Sequence, residues 1–109
     1  MISAQDLRDK LKKREAAILD DLDDNEALFV EYQSPAGAVV RIRDIAYYLD
    51  DDNILVLGGW DVRTGHECQI VASPLTVQLV FRVVRIEEGE PVPEQRPIGF
   101  IRGPEFEHP

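Results

Sequence analysis

Just after Asn25 the spacing of apolar residues changes from a helical to a strand-like period, and this switch divides the chain into two kinds of structure. Upstream of it, Ala4, Leu7, Leu11, Ile18 and Leu22 recur at intervals of three, four or seven, so they share one face of a helix. Ser3 with Asp6 three positions on is a helix-start signal, a weaker relative of the Ser/Thr–Glu capping box. Asp6–Lys10 and Asp9–Lys13 add i, i+4 pairs in the favourable acid-to-base direction. The spacing predicts a helix over 3–23. Its apolar stripe is narrow and breaks where Arg14 and Glu15 fall, which suits docking on a sheet better than pairing with a second helix.

Downstream the pattern is that of short strands. LFVEY (28–32) is rich in aromatic and branched residues, SPAG (34–37) is a turn, and AVVRIRDI (38–45) follows, so 28–45 predicts a hairpin. Strict alternation would place Val39, Arg41, Arg43 and Ile45 on one side and Val40, Ile42 and Asp44 on the other. AYYLDDDN (46–53) predicts an acidic turn. ILVLGGWDV (54–62) predicts a buried strand bent or bulged at Gly58–Gly59. RTG (63–65) is a turn, HECQIVA (66–72) a returning strand, and TVQLVFRVVRI (76–86) a further strand with Val77, Leu79, Phe81 and Val83 on one face. Five of the seven prolines lie between Pro91 and Pro109, mixed with acids and glycine, so 91–109 predicts an extended tail. Within it only IGFIR (98–102) has the composition to add an edge strand or lie in a groove.

These elements predict an α+β domain over 1–90. It has an N-terminal helix and a five- to six-stranded, strongly bent antiparallel sheet or small barrel, with its strands within 28–86. The order strand, SPAG turn, VRIRDI, acidic turn, ILVLGGWD, RTGHE turn, CQIVASPL, long strand resembles the SH3-like or Sm-like barrel of WYL-type regulatory domains over about residues 28–86. The family's Trp-Tyr-Leu signature is absent from the expected strand, where ILVL stands. Such barrels sense ligands, often nucleotides or single strands, with basic and aromatic residues. The resemblance therefore implies Arg41, Arg43 and Trp60 as ligand-binding positions, by residue type rather than by motif.

Charge narrows the partners. The net charge is −9, most of the excess lying at the two ends of the chain, and such a surface repels phosphate backbones, so direct nucleic-acid binding is not expected. The sole cysteine, Cys68, permits no internal disulfide and suits a reducing cytoplasm. No run approaches the length of a membrane span. ILDDLDDNEAL (18–28) gathers Asp20, Asp21, Asp23, Asp24 and Glu26 where the helix runs out, the end at which the backbone dipole disfavours acids. Counted from Asp21 as a calcium loop, it lacks both the glycine at position six, which is Glu26, and the glutamate at position twelve, which is Tyr32. His66 and Cys68 fall on one face of a strand, but two residues do not make a zinc site, and Cys68 reads better as a small core residue. No phosphate-binding glycine loop and no nucleophile elbow is present, so neither an enzyme nor a cofactor is expected.

The leading expectation is thus a non-enzymatic acidic interaction module, an adaptor or inhibitor whose five acids dock on a protein partner of basic character. A nucleic-acid-binding protein occupied by DNA mimicry is its most specific form. A second reading is a small-ligand or nucleotide-sensing barrel. A third is self-assembly, a homodimer formed through the Leu7/Leu11/Ile18/Leu22 stripe and the tail.

Overall fold

In the computed structural model, residues 2–48, 51–91 and 97–102 are described. Helix α1 runs Ala4–Asp21, followed by strands β1 (Glu26–Gln33), β2 (Val39–Tyr48), β3 (Asp51–Asp61), β4 (Glu67–Ala72), β5 (Val80–Arg85) and β6 (Gly99–Arg102). The strands form one bent sheet in the order β4-β3-β2-β1-β5, and β6 joins β2 beside β1. The sheet does not close into a barrel; β4 and β5 are its two edges. The predicted α+β class holds. Leu49 and Asp50 of the predicted acidic turn, and most of the predicted tail (92–96 and 103–109), lie outside the described residues.

Local chemistry accounts for the ends of the elements. The Ser3 hydroxyl accepts the Asp6 amide at 3.0 Å and starts α1. At its C-terminus the Leu22 amide donates to the Leu19 carbonyl, and no basic residue occupies the last turn. In the SPAG turn the Gly37 amide donates to the Ser34 carbonyl, with Gly37 at φ +93°, which favours glycine. The β3–β4 turn is built on Asp61, whose carboxylate accepts the Arg63 and Thr64 amides at 2.8 and 3.0 Å. Those bonds, the Thr64 amide foremost, hold its pKa below the ordinary aspartate value.

The core lies between α1 and one face of the sheet. Ala4, Leu28, Val30, Ile42, Ile45, Tyr47, Leu55 and Leu57 are buried there, with Leu7, Leu11, Ile18, Leu19 and Leu22 of the helix packed against them. The predicted stripe therefore docks on the sheet.

Three expectations need correction. β3 begins at Asp51, so Asp51–Asn53 belong to a strand and not to a turn. β5 begins only at Val80; residues 74–76 form a turn, and Val83, opposite Leu28 on the sheet edge, is 44% exposed. The alternation of β2 breaks at Arg43. Ile42 pairs with Gly59 and Asp44 with Gly58, leaving Arg43 as one extra residue, a β-bulge that shifts the phase of all that follows. Ile45 thereby joins Val40 and Ile42 on the core face, while Asp44 turns away from it.

The Gly58–Gly59 pair is the counterpart of this bulge. A Cβ on Gly59 would collide with the Arg41 carbonyl, and one on Gly58 with the Asp44 carboxylate. Gly59→Ala is expected to cost about 2–3 kcal/mol, since the clash is with backbone that the ladder holds in place. Urea unfolding of the variant against wild type measures this, and a loss below about 0.5 kcal/mol would show that the bulge can relax.

Candidate functional site

The phase shift at Arg43 also opens the sheet. β1 pairs with β2 only at Glu31–Arg41, Tyr32–Val40 and Gln33–Val39, and β6 pairs with it only from Asp44 onward. Between these two neighbours lies a cleft of about 540 Å³, within the range of small-ligand sites. Leu28, Val30, Ile42, Ile98 and Glu15 are its buried residues. Phe29, Arg41 and Trp60 form a second wall, and Arg43, Asp44, Gly99 and Ile101 complete the lining with Pro97.

Register explains the second wall. Glu31 stands opposite Arg41, Arg41 opposite Trp60 and Trp60 opposite Glu67, a row across four strands on the face turned away from α1. Glu31 is 3% exposed and takes two guanidinium groups, Arg41 at 3.3 Å and Arg82 at 3.0 Å. Arg41 also lies over the Phe29 ring, its guanidinium carbon 4.0 Å from the centroid. Arg43 reaches Asp44 at 3.2 Å and Glu67 at 3.0 Å, and these bonds, that to Glu67 foremost, raise its pKa further. Both cleft arginines are thus ion-paired to carboxylates, although Arg41 shares Glu31 with Arg82 and its own Nε has no hydrogen-bond partner among the described residues.

Glu15 is the less expected member. It is 6% exposed, its carboxylate accepts the Ile98 amide at 3.0 Å, and desolvation pushes its pKa up from 4.5. One helical step of seven away, Arg8 donates to the Phe100 carbonyl at 3.0 Å and to Asp9 at 2.6 Å. Its guanidinium sits 5.7 and 5.6 Å from the Tyr47 and Phe100 rings.

The residues nominated from sequence separate into two groups. Arg41, Arg43 and Trp60 come together on the cleft. Asp20, Asp21, Asp23, Asp24 and Glu26 do not line it. Asp20 and Asp21 are exposed in the last turn of α1, Asp23 and Asp24 are exposed beyond it, and Glu26 is half-buried with its carboxylate accepting the Asp23 amide at 3.0 Å. Glu26 therefore shapes the helix-to-strand turn. Cys68 is half-buried against the core, its thiol donating to the His66 carbonyl at 3.6 Å, while His66 is exposed. His108 lies outside the described residues. Among the described residues no group of three or more His, Cys, Asp and Glu is placed to hold a metal ion, and no helix is long and apolar enough to cross a membrane.

Sequence reasoning missed Arg8, Glu15 and Phe29. The signal for the first two was present: Ala4, Arg8, Leu11, Glu15, Ile18 and Leu22 form an unbroken three–four repeat, so both charges stand inside the apolar stripe. Comparison with protein-family models, curated proteins and solved structures finds no match to this chain.

Two outcomes are expected. Glu31→Gln leaves Arg41 and Arg82 facing each other without their shared carboxylate and should lower stability by about 2 kcal/mol, whereas Arg43→Ala, which breaks exposed pairs, should cost less than about 1 kcal/mol in the same denaturant titration. Equal losses would remove the distinction between the two clusters. Because the Glu15 pKa is raised in the fold, its stabilising contribution is complete below the unfolded value near 4.5 and is lost as pH rises through the folded value. Glu15→Gln keeps an acceptor for Ile98 but cannot titrate. Its stability relative to wild type should therefore rise between pH 4 and pH 7, and a pH-independent difference would contradict the assignment.

Proposed function

We propose that this chain is a non-catalytic protein-binding module of the cytoplasm that takes an apolar side chain of a basic partner into the cleft between β1 and β6. The observation that carries the reading is the state of the cleft arginines. Arg41 shares the Glu31 carboxylate with Arg82, and Arg43 lies between Asp44 and Glu67, so three arginines face three carboxylates and the cleft offers buried apolar surface beside Glu15 without net positive charge from these groups. A phosphate would have to take a guanidinium from a carboxylate already bonded to it, which disfavours the nucleotide-sensing alternative. A lysine or arginine flanked by an apolar residue meets no such cost. The net charge of −9, with Asp20, Asp21, Asp23 and Asp24 exposed at one end of the helix, would steer a basic partner during encounter.

Gly99 allows a clean test. Its φ is not in the left-handed region, and a Cβ there would meet only the Asp44 Cβ, at an ordinary 3.6 Å. Gly99→Leu should therefore fold while placing a side chain at the cleft. Peptides selected from a random library on wild type should pair a large apolar residue with Lys or Arg. They should bind Gly99→Leu at least about tenfold more weakly, a change of 1.4 kcal/mol or more. Replacing Asp20, Asp21, Asp23 and Asp24 together by Asn should chiefly reduce the salt dependence of association. Unchanged binding by a folded Gly99→Leu protein, or nucleotide-induced quenching of Trp60 without peptide binding, would overturn the reading.

A further inference from the structure

β6 is held in an unusual way for the last strand of a sheet. It is parallel to β2, in the register Asp44–Gly99, Ile45–Phe100, Ala46–Ile101 and Tyr47–Arg102, whereas the other described pairings are antiparallel. A parallel neighbour cannot arrive by a tight hairpin; it must be carried in from a distance. The side of β6 turned away from β2 faces α1. There the Glu15 carboxylate accepts the Ile98 amide and the Arg8 guanidinium donates to the Phe100 carbonyl, each at 3.0 Å. Both contacts are to main-chain groups. The slot between β2 and α1 thus recognises an extended backbone from both sides, and it would accept the same backbone from another polypeptide.

Side-chain selection comes from alternate positions, as in a sheet extended by a peptide. Ile98, 9% exposed, and Phe100 pack against the core, and Phe100 also meets the Arg8 guanidinium. Gly99 and Ile101, the intervening positions, line the cleft together with Ile98. The chain's own occupant is short, four paired residues, and joins the rest of the sheet through the acidic, proline-containing stretch from Glu87 to Pro97.

We propose that the slot between β2 and α1 is a strand-accepting site that takes an extended segment of a partner protein with an apolar residue and an aromatic two positions apart, and that Ile98–Arg102 is its tethered, displaceable competitor. This stands on the main-chain contacts of Arg8 and Glu15 and does not rest on the cleft reading. Because the competitor belongs to the same chain, its binding is intramolecular, and it sets the affinity seen by any segment supplied in trans.

The test uses the full chain and a fluorescent peptide of sequence PIGFIR, followed by anisotropy. In wild type the tethered strand competes; in Phe100→Asp it is weakened while the slot itself is untouched. The peptide is expected to bind Phe100→Asp at least tenfold more tightly than wild type. A peptide with proline in place of the glycine should not bind, and adding Arg8→Ala to the Phe100→Asp chain should weaken binding at least tenfold. No binding to a Phe100→Asp protein whose circular dichroism shows it folded, or equal binding of a scrambled peptide, overturns the proposal. Should Phe100→Asp fail to fold, a wild-type chain with a protease site introduced at residues 88–90 replaces it. After cleavage the tail should exchange with the labelled peptide, and absence of exchange over hours overturns the proposal equally. A concentration-dependent wild-type dimer that the peptide dissociates would assign the slot to the tail of a second copy and overturn the choice of partner.

Discussion

One extra residue in β2 organises the part of this molecule that holds the cleft. Arg43 is accommodated as a bulge because Gly58 and Gly59 across the ladder have no side chains to collide with Asp44 and with the Arg41 carbonyl. A bulge increases local twist and bends its strand. Here it coincides with the point at which β2 exchanges one neighbour for another, β1 before it and β6 after it. It also turns Ile45 and Tyr47 inward, where both are buried opposite Leu57 and Leu55. Core packing and the cleft therefore share a cause.

Charge is arranged differently on the two sides of the sheet. On the side away from the helix, Glu31 collects Arg41 and Arg82, and Glu67 and Asp44 share Arg43, so the charges balance over the two clusters together. Burying Glu31 is tolerable because both of its oxygens face guanidinium groups. On the helix side Arg8 and Glu15 are spent on main-chain groups of the 98–100 segment. A buried carboxylate that accepts an amide keeps a desolvation cost, and burial therefore raises the Glu15 pKa.

The acidic end of the helix keeps its puzzle in part. α1 continues to Asp21, so Asp20 and Asp21 do lie in the last turn, at the negative end of the dipole, with no basic residue beside them in that turn. Glu26 has a structural reason in its bond to the Asp23 amide. The four aspartates are exposed, where charges of one sign favour solubility and, on the reading proposed above, would attract a basic partner.

The helix, its Ser3 cap, the SPAG hairpin and the docking of the apolar stripe were legible in the sequence because each depends on near neighbours along the chain or on a simple period. The rest depended on contacts between distant residues. Nothing local to AVVRIRDI announces a bulge at Arg43; the room for it lies fifteen residues on, at Gly58–Gly59. Nor does IGFIR declare that it pairs parallel with Asp44–Tyr47, since its hydrogen-bonding partners are on β2 and α1. Arg41, Arg43 and Trp60 could be named by residue type, and Asp44 and Glu67 were candidate partners for the arginines by charge, but that Glu31 would take Arg41 followed only from register. Sequence determined the helix, the middle of each strand from β1 to β5, and the SPAG and RTG turns. Tertiary structure decided the phase of β2, the place of β6 and the charge of the cleft, because each is set by what lies across the sheet rather than by what comes next in the chain.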